Sequence, residues 1–239
     1  MALKCFLGIC LVTIATLGNI VWSRPDPSQS TNQRAQWKDP TTLRSRVEKE
    51  KAKGNRRVEF PAPVIEYAEE TDLEEVIAKT TVVLADVLEK HSRQVDPGNI
   101  FTFYRLGVIE TLSQPTTPPC CNPKEEDFPT DLPSLGSNEI YFAGVGGTIT
   151  LDDVELTVTE DYRELRPNGR YLLFLSTTES GKFSIGKLGP RAVFKVSGDG
   201  RLESHLRSLK FGSELQSKAG NSLSGLRSEI RRQKHSIKQ

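Results

Sequence analysis

The sequence predicts a mainly β fold, one small barrel of short strands with a short helix before it and a C-terminal helix after it. Three observations predict it. Apolar residues alternate with polar ones at a period of two in several short runs between residues 100 and 196. Clusters of Gly, Pro, Asn and Asp punctuate those runs at close intervals. The segment Tyr171-Leu172-Leu173-Phe174-Leu175 is apolar on both faces, so it must be covered on both and belongs at the centre of the fold.

The N-terminus sets the compartment. Lys4 is followed by an apolar run from Cys5 to Ala15 and a weakly polar stretch to Ser23, the layout of a secretory signal peptide over residues 1–23. Val21 and Ser23 suit the two small positions before a cut. The apolar core is about half of the roughly 20 residues that a spanning helix needs, which leaves an uncleaved anchor as the alternative. Lipid attachment at Cys10 is disfavoured by the bulk of Ile9. No later segment is long and apolar enough to cross a bilayer, so a secreted or cell-envelope location without stable membrane insertion is expected.

Charge is nearly balanced, at 32 basic and 31 acidic residues, but it is unevenly spread. Residues 24–60 carry 10 basic and 5 acidic side chains, residues 61–160 carry 5 and 19, and residues 201–239 carry 9 and 3. Basic ends folding back on an acidic body account for this. Neither end interleaves its basic residues with aromatics on one face, so nucleic acid is not an expected partner.

Residues 24–63 read as a charged linker, with a short helix possible from Thr42 to Lys53 that Gly54 and Asn55 would stop. Glu69 to Lys79 spaces Leu73, Val76 and Ile77 helically, and Thr71 with Glu74 forms a capping pair. The barrel domain is placed at 64–200. Its first strand is read from Thr80 to Leu88, where β-branched residues take over, with continuation of the helix as the other reading. Asp96-Pro97-Gly98-Asn99 signals a turn. A strand follows from Ile100 to Leu112, with Tyr104, Leu106 and Val108 facing the core. Residues 113–137 contain six prolines and read as a long surface loop inserted in the barrel.

Pairing resumes at Glu139, with Ile140 and Phe142 inward, and a tight hairpin is expected at Gly144-Val145-Gly146-Gly147. Thr148–Leu151 and Val154–Thr159 are strands separated by Asp152-Asp153. Pro167-Asn168-Gly169 turns into the central strand, and shorter strands follow near Phe183–Ile185 and Ala192–Val196. Short strands at this spacing predict a closed or nearly closed barrel, which also removes exposed edges. Residues 201–239 form a basic helical tail, with one stripe of Leu202, Leu206 and Leu209 and another of Leu223, Leu226 and Ile230. Ser222 or Ser224 caps the second, and the chain frays from Arg231 on.

The stretch from about Thr80 to Leu202 resembles an uncharacterised domain of exported bacterial proteins. The residues that carry it are Phe101 to Leu112, Gly146-Gly147 and Gly169-Arg170-Tyr171-Leu172-Leu173-Phe174-Leu175. The resemblance implies a fold type and a compartment, and no activity. More distantly, the same order is similar to the netrin-like OB barrels of the metalloproteinase inhibitors. Those inhibitors bind the protease zinc through an N-terminal cysteine, and a mature end near Arg24 has none, so the similarity covers strand pattern and not mechanism.

Chemistry has few anchors. His91, His205 and His235 are read in a turn, a helix and a tail, none with a second ligand at zinc spacing, so no metal is expected. No nucleophile elbow is present, and Gly144-Val145-Gly146-Gly147 lacks the helix that would make it a phosphate cradle, so neither a cofactor nor an enzyme is expected. The candidate binding residues are the vicinal Cys120 and Cys121 and the acidic cluster Glu125, Glu126 and Asp127, all in the Pro-rich loop. The expected function is a non-enzymatic exported module that binds an extracellular or envelope protein or glycan through that loop. Two alternatives stand beside it: a thiol redox or soft-metal protein using Cys120 and Cys121, and a netrin-like inhibitor of extracellular proteases.

Overall fold

The computed structural model describes residues 42–61, 72–96, 99–116, 123–159, 165–186, 193–204 and 210–236. The signal-peptide reading of residues 1–23 therefore lies outside the described residues. In chain order the elements are α1 (Leu43–Ala52), β1 (Arg57–Pro61), α2 (Leu73–Lys79), β2 (Thr81–Asp96), β3 (Asn99–Ser113) and β4 (Glu139–Val145). Then come β5 (Gly147–Leu151), β6 (Val154–Thr159), β7 (Arg170–Thr177), β8 (Phe183–Gly186), β9 (Val193–Val196) and β10 (Leu202–Ser204). Two helices close the chain, α3 (Lys210–Ala219) and α4 (Leu223–Ser236).

The fold is mainly β and barrel-like. Five strands make a partly closed ring in which β2 pairs with β3, β3 with β4, β4 with β8 in parallel, β8 with β7, and β7 back with β2. Along its other edge β7 meets β9 through Tyr171–Leu173 and β8 through Leu175–Thr177, so β9 and β10 extend the sheet outside the ring. Strand β2 pairs with β7 through Thr81–Asp86 and with β3 from Val82 to Asp96. It spans 16 residues where a shorter strand and a turn around His91 are expected, and register shifts at Leu84/Ala85 and Val87/Glu89 bend it.

Parity sorts the side chains of the ring as the alternation predicts. Tyr104, Leu106 and Val108 of β3, Ile140 and Phe142 of β4, and Tyr171, Leu173 and Leu175 of β7 meet inside. The opposite face of β7 carries Leu172 and Phe174, which lie beneath α2, α3 and α4 with Leu73, Val76, Phe211, Leu215, Leu226 and Ile230. Residues Leu172, Leu173 and Phe174 are 0% exposed, so the doubly apolar segment is enclosed on both sides. The remaining outer face, over β3, β4 and β8, packs Phe101, Phe103 and Tyr141 against Phe128 from the Pro-rich segment.

Local chemistry sets the helices. Thr42 caps α1 by accepting from the Ser45 amide, and the chain leaves it through Lys53 and Gly54, the latter at φ 83°. Asp72 caps α2, accepting from the amides of Glu74 and Glu75; Thr71, the expected cap, is outside the described residues. Ser222 receives the Gly225 amide at 3.1 Å and starts α4. Helix α4 runs through Ser236, beyond the expected fraying point, because Lys234 donates to the Leu112 carbonyl and Arg227 pairs with Glu110. Leu202, expected on a helical stripe, lies instead in strand β10, pairing with Val196, and Leu206 and Leu209 lie outside the described residues. Asp72, Glu74, Glu214, Lys218, Glu229 and Arg232 form an ionic network that joins α2, α3 and α4.

Not all strands join the ring. Strands β1, β6 and β5 form a separate sheet, with β1 parallel to β6 and β5 antiparallel to it. Residues 42–61, within the stretch expected as a linker, supply α1 and β1 to this unit; Leu43 and Val47 are buried with Ile100, Val154, Leu156 and Val158. The hairpin expected at residues 144–147 is absent, since β4 pairs with β3 and β8 while β5 pairs with β6. Gly146 and Gly147, at φ 101° and 131°, carry the chain from one sheet to the other. A Cβ at Gly147 would sit 2.2 Å from Thr102 Oγ1, so both the conformation and the space demand glycine. The real hairpin turn is Asp152-Asp153, with both residues at positive φ, 49° and 65°.

Candidate functional site: a cleft beside strand β3

Strand β3 outruns its neighbour. Its pairing with β4 covers Phe101 to Gly107, while its pairing with β2 continues to Ser113. The end of β3 beyond β4 lies beside the first residues of β2, Val82–Asp86, which pair with β7 on their other side. Beyond Gly107, Val108 still donates to the Asn138 carbonyl at 2.8 Å. Past that bond, β4 no longer follows.

The outer face of β2 and β3 is covered at each end and open between. At one end lies the aromatic cluster of Phe103, Phe128 and Tyr141; at the other, Leu112 is buried under the helices. Between them Leu88 and Ile109 are 39% and 48% exposed. Both stand at register shifts, Leu88 between Val87 and Glu89 and Ile109 between the partners of Leu84 and Ala85. A bulge adds a residue that the pleat cannot turn inward, which is why two large apolar side chains face solvent here. Leu88 reaches over Gly107, where a Cβ would stand 3.4 Å from its methyls.

Ile109 also lines a cleft of about 640 Å³. Its lining comes from Val108–Thr111, Leu135–Ile140 and the β7–β8 turn, Ser180–Lys182. Its two carboxylates are already engaged. Glu110 pairs with Arg227, and Glu139 accepts from the Gly136 amide at 2.8 Å and lies 3.7 Å from Arg105 Nε. Arg105 in turn reaches Glu89 at 2.7 Å, and Glu89 holds His91 Nε2 at 3.1 Å, which places His91 in strand β2 rather than in a turn.

The second half of the Pro-rich segment is a wall of this region, not a free surface loop. Phe128 is 5% exposed; its ring stacks on Phe183 at 4.6 Å and meets Phe103 edge-on at 6.3 Å. Tyr141 Oη donates to the Pro133 carbonyl at 2.9 Å, and burial raises the pKa of that hydroxyl. Leu132 and Leu135 pack on the same cluster.

Of the sequence-derived candidates, Glu125, Glu126 and Asp127 form one 3-10 turn just before Phe128. Asp127 accepts from the Lys124 amide at 2.8 Å, and Glu126 pairs with Lys124 at 3.6 Å. Glu125 clasps the β7–β8 turn, accepting from the Ser180 amide at 3.3 Å; bonding from the Ser180 side chain, then its amide, holds this carboxyl below the ordinary glutamate value of 4.5. The described lining of the cleft contains Ser180 but none of the three acids. Cys120 and Cys121 lie outside the described residues. No group of three or more His, Cys, Asp or Glu able to hold a metal occurs among the described residues.

A lowered folded pKa means that the clasp contributes above pH 4.5 and is lost as pH falls through the folded value. The Ser180 amide proton shift should therefore titrate with a midpoint below 4.5, and Glu125→Gln should abolish that titration. A wild-type midpoint at or above 4.5 would refute the clasp.

Neither a protein-family model nor a curated protein matches the chain. The cleft is not among the sequence candidates, since the alternation of β3 singles out Tyr104, Leu106 and Val108 and not Ile109. The sequence signal that was available is the adjacent pair Val108-Ile109, two apolar neighbours that a regular pleat would send to opposite faces.

Proposed function

We propose that this chain is an exported, non-enzymatic module, built on an OB-like barrel, that binds an extracellular or envelope protein or glycan at the cleft beside β3. Export rests on the layout of Lys4, Cys5–Ala15 and Ser23. Among the described residues no helix is long and apolar enough to cross a membrane. The OB-like reading rests on the five-strand, partly closed ring, an architecture that recurs in binding modules. The observation that carries the site is Ile109, nearly half exposed and lining a cleft beside the packed cluster of Phe128 and Tyr141. Binding sites tend to sit where loops are positioned by a rigid scaffold, and residues 123–137 are such a loop.

Deleting residues 115–133 would not test this cleanly, since it removes Phe128 and with it part of the core. The sharper variant is Ile109→Asp, which alters an exposed residue and should change stability by no more than about 0.5 kcal/mol. The purified protein and this variant are screened on a glycan array and against proteins solubilised from the native envelope. A ligand bound by the parent and lost by Ile109→Asp supports the reading; ligands retained equally by both overturn it.

A further inference from the structure

We propose that Arg56-Arg57, where the chain passes from α1 into β1, is a proteolytic processing site. A serine endoprotease whose subsites carry carboxylates for paired basic side chains would hydrolyse the bond between Arg57 and Val58. The site is independent of the cleft.

Exposure singles out this pair. Adjacent basic residues occur at two places in the sequence, Arg56-Arg57 and Arg231-Arg232. At the first, every residue from Lys51 to Arg57 is exposed, and the Arg57 side chain is 80% exposed. Its partner Glu155, at 2.7 Å, is itself 41% exposed, and a surface pair of that kind holds weakly, so a protease carboxylate can take its place. The second pair lies inside helix α4. There Arg232 is tied to Glu229 at 2.7 Å and to Glu74 at 2.8 Å, and the preceding residue, Ile230, is buried. An endoprotease takes its substrate extended, so that pair is reached only by unwinding the helix.

The backbone of the first pair has the conformation that such an enzyme needs. Gly54, at φ 83°, turns the chain out of α1, and the chain is extended from Arg57 on. Strand β1 is the edge of its sheet, with β6 as its one strand partner among the described residues. In a parallel ladder alternate residues turn their backbone groups to the same neighbour. The Arg56 carbonyl accepts from the Glu155 amide at 2.9 Å, so Arg57 turns its own amide and carbonyl to the open edge. An added strand pairs with groups so placed, and the carbonyl of the residue to be cut is the one an oxyanion hole must reach.

In the cut, water adds across the bond: its hydroxyl goes to the Arg57 carbonyl carbon and its proton to the Val58 nitrogen, which leaves as the amine. Leu43 and Val47 of α1 are buried with Val154, Leu156 and Val158, so the piece that ends at Arg57 stays docked after the cut.

The test treats the purified full chain with a subtilisin-like endoprotease specific for paired basic residues, followed by intact mass and N-terminal sequencing. The first cut should leave Val58 as a new N-terminus, at least about tenfold faster than any cut after Arg232, because cleavage tracks the population of the accessible form. The two pieces should co-elute in gel filtration. Arg57→Gln should remove the cut with an unchanged circular dichroism spectrum. A first cut after Arg232, or a cut before Val58 that appears only when urea unfolds the chain, would overturn the assignment. Protein isolated from its native source should include chains that begin at Val58; an Arg57–Val58 bond left whole in all of it would overturn the processing role.

Discussion

Phe174→Ala is expected to lower the unfolding free energy by about 4 kcal/mol, the middle of the range for truncating a buried aromatic. Phe174 is fully buried on the helix-covered face of β7, its ring edge-on to Phe211 at 5.2 Å and to Phe194 at 6.1 Å. Truncation removes both ring contacts and opens a cavity where β7 meets α3 and β9. The strand cannot shift to fill it, because Leu173 and Leu175 hold it from inside the ring. Domains are stable by only about 5–15 kcal/mol, so the loss is a large share of the total. Denaturant unfolding followed by circular dichroism measures it, and a loss below about 1 kcal/mol would mean that the helices do not cover β7.

Phe128→Ala should cost about 3 kcal/mol, although the residue belongs to a Pro-rich segment without a strand of its own. Its ring fills the space between Phe103 and Phe183. The Tyr141 to Pro133 bond and the Glu125 clasp on Ser180 both hold parts of the chain that Phe128 anchors. Limited proteolysis should cut the variant within 123–137 well before the parent. Equal stability and equal resistance would show that the segment lies loosely on the barrel. Any ligand of the cleft should also bind the variant more weakly, since Leu135–Ile140 belong to its lining.

The period of the sequence made much of this legible. Tyr104, Leu106, Val108, Ile140 and Phe142 alternate, and they line the interior of the ring. Tyr171–Leu175 is apolar throughout, and both of its faces are buried. The Ser222 cap and the stripe of Leu223, Leu226 and Ile230 place α4. Partner choice was less legible. Strand β5 alternates as well as any strand of the ring, yet it pairs with β6 in the other sheet. Leu202 fits a helical stripe but is drawn into a strand by Val196. Prolines announced a loop over residues 113–137, and they carry no information about where Phe128 would be buried.

What the residues determined without their tertiary setting is which side chains needed cover, because apolar periodicity is a local property of the chain. Which strands supplied that cover was decided only in three dimensions. There β8, pairing with both β4 and β7, closed the ring, and the glycines at 146 and 147 sent β5 to a second sheet. The cleft belongs to that second kind of fact. It exists because β4 stops following β3 at Gly107, and a strand's pattern records its own faces but not the reach of its neighbour.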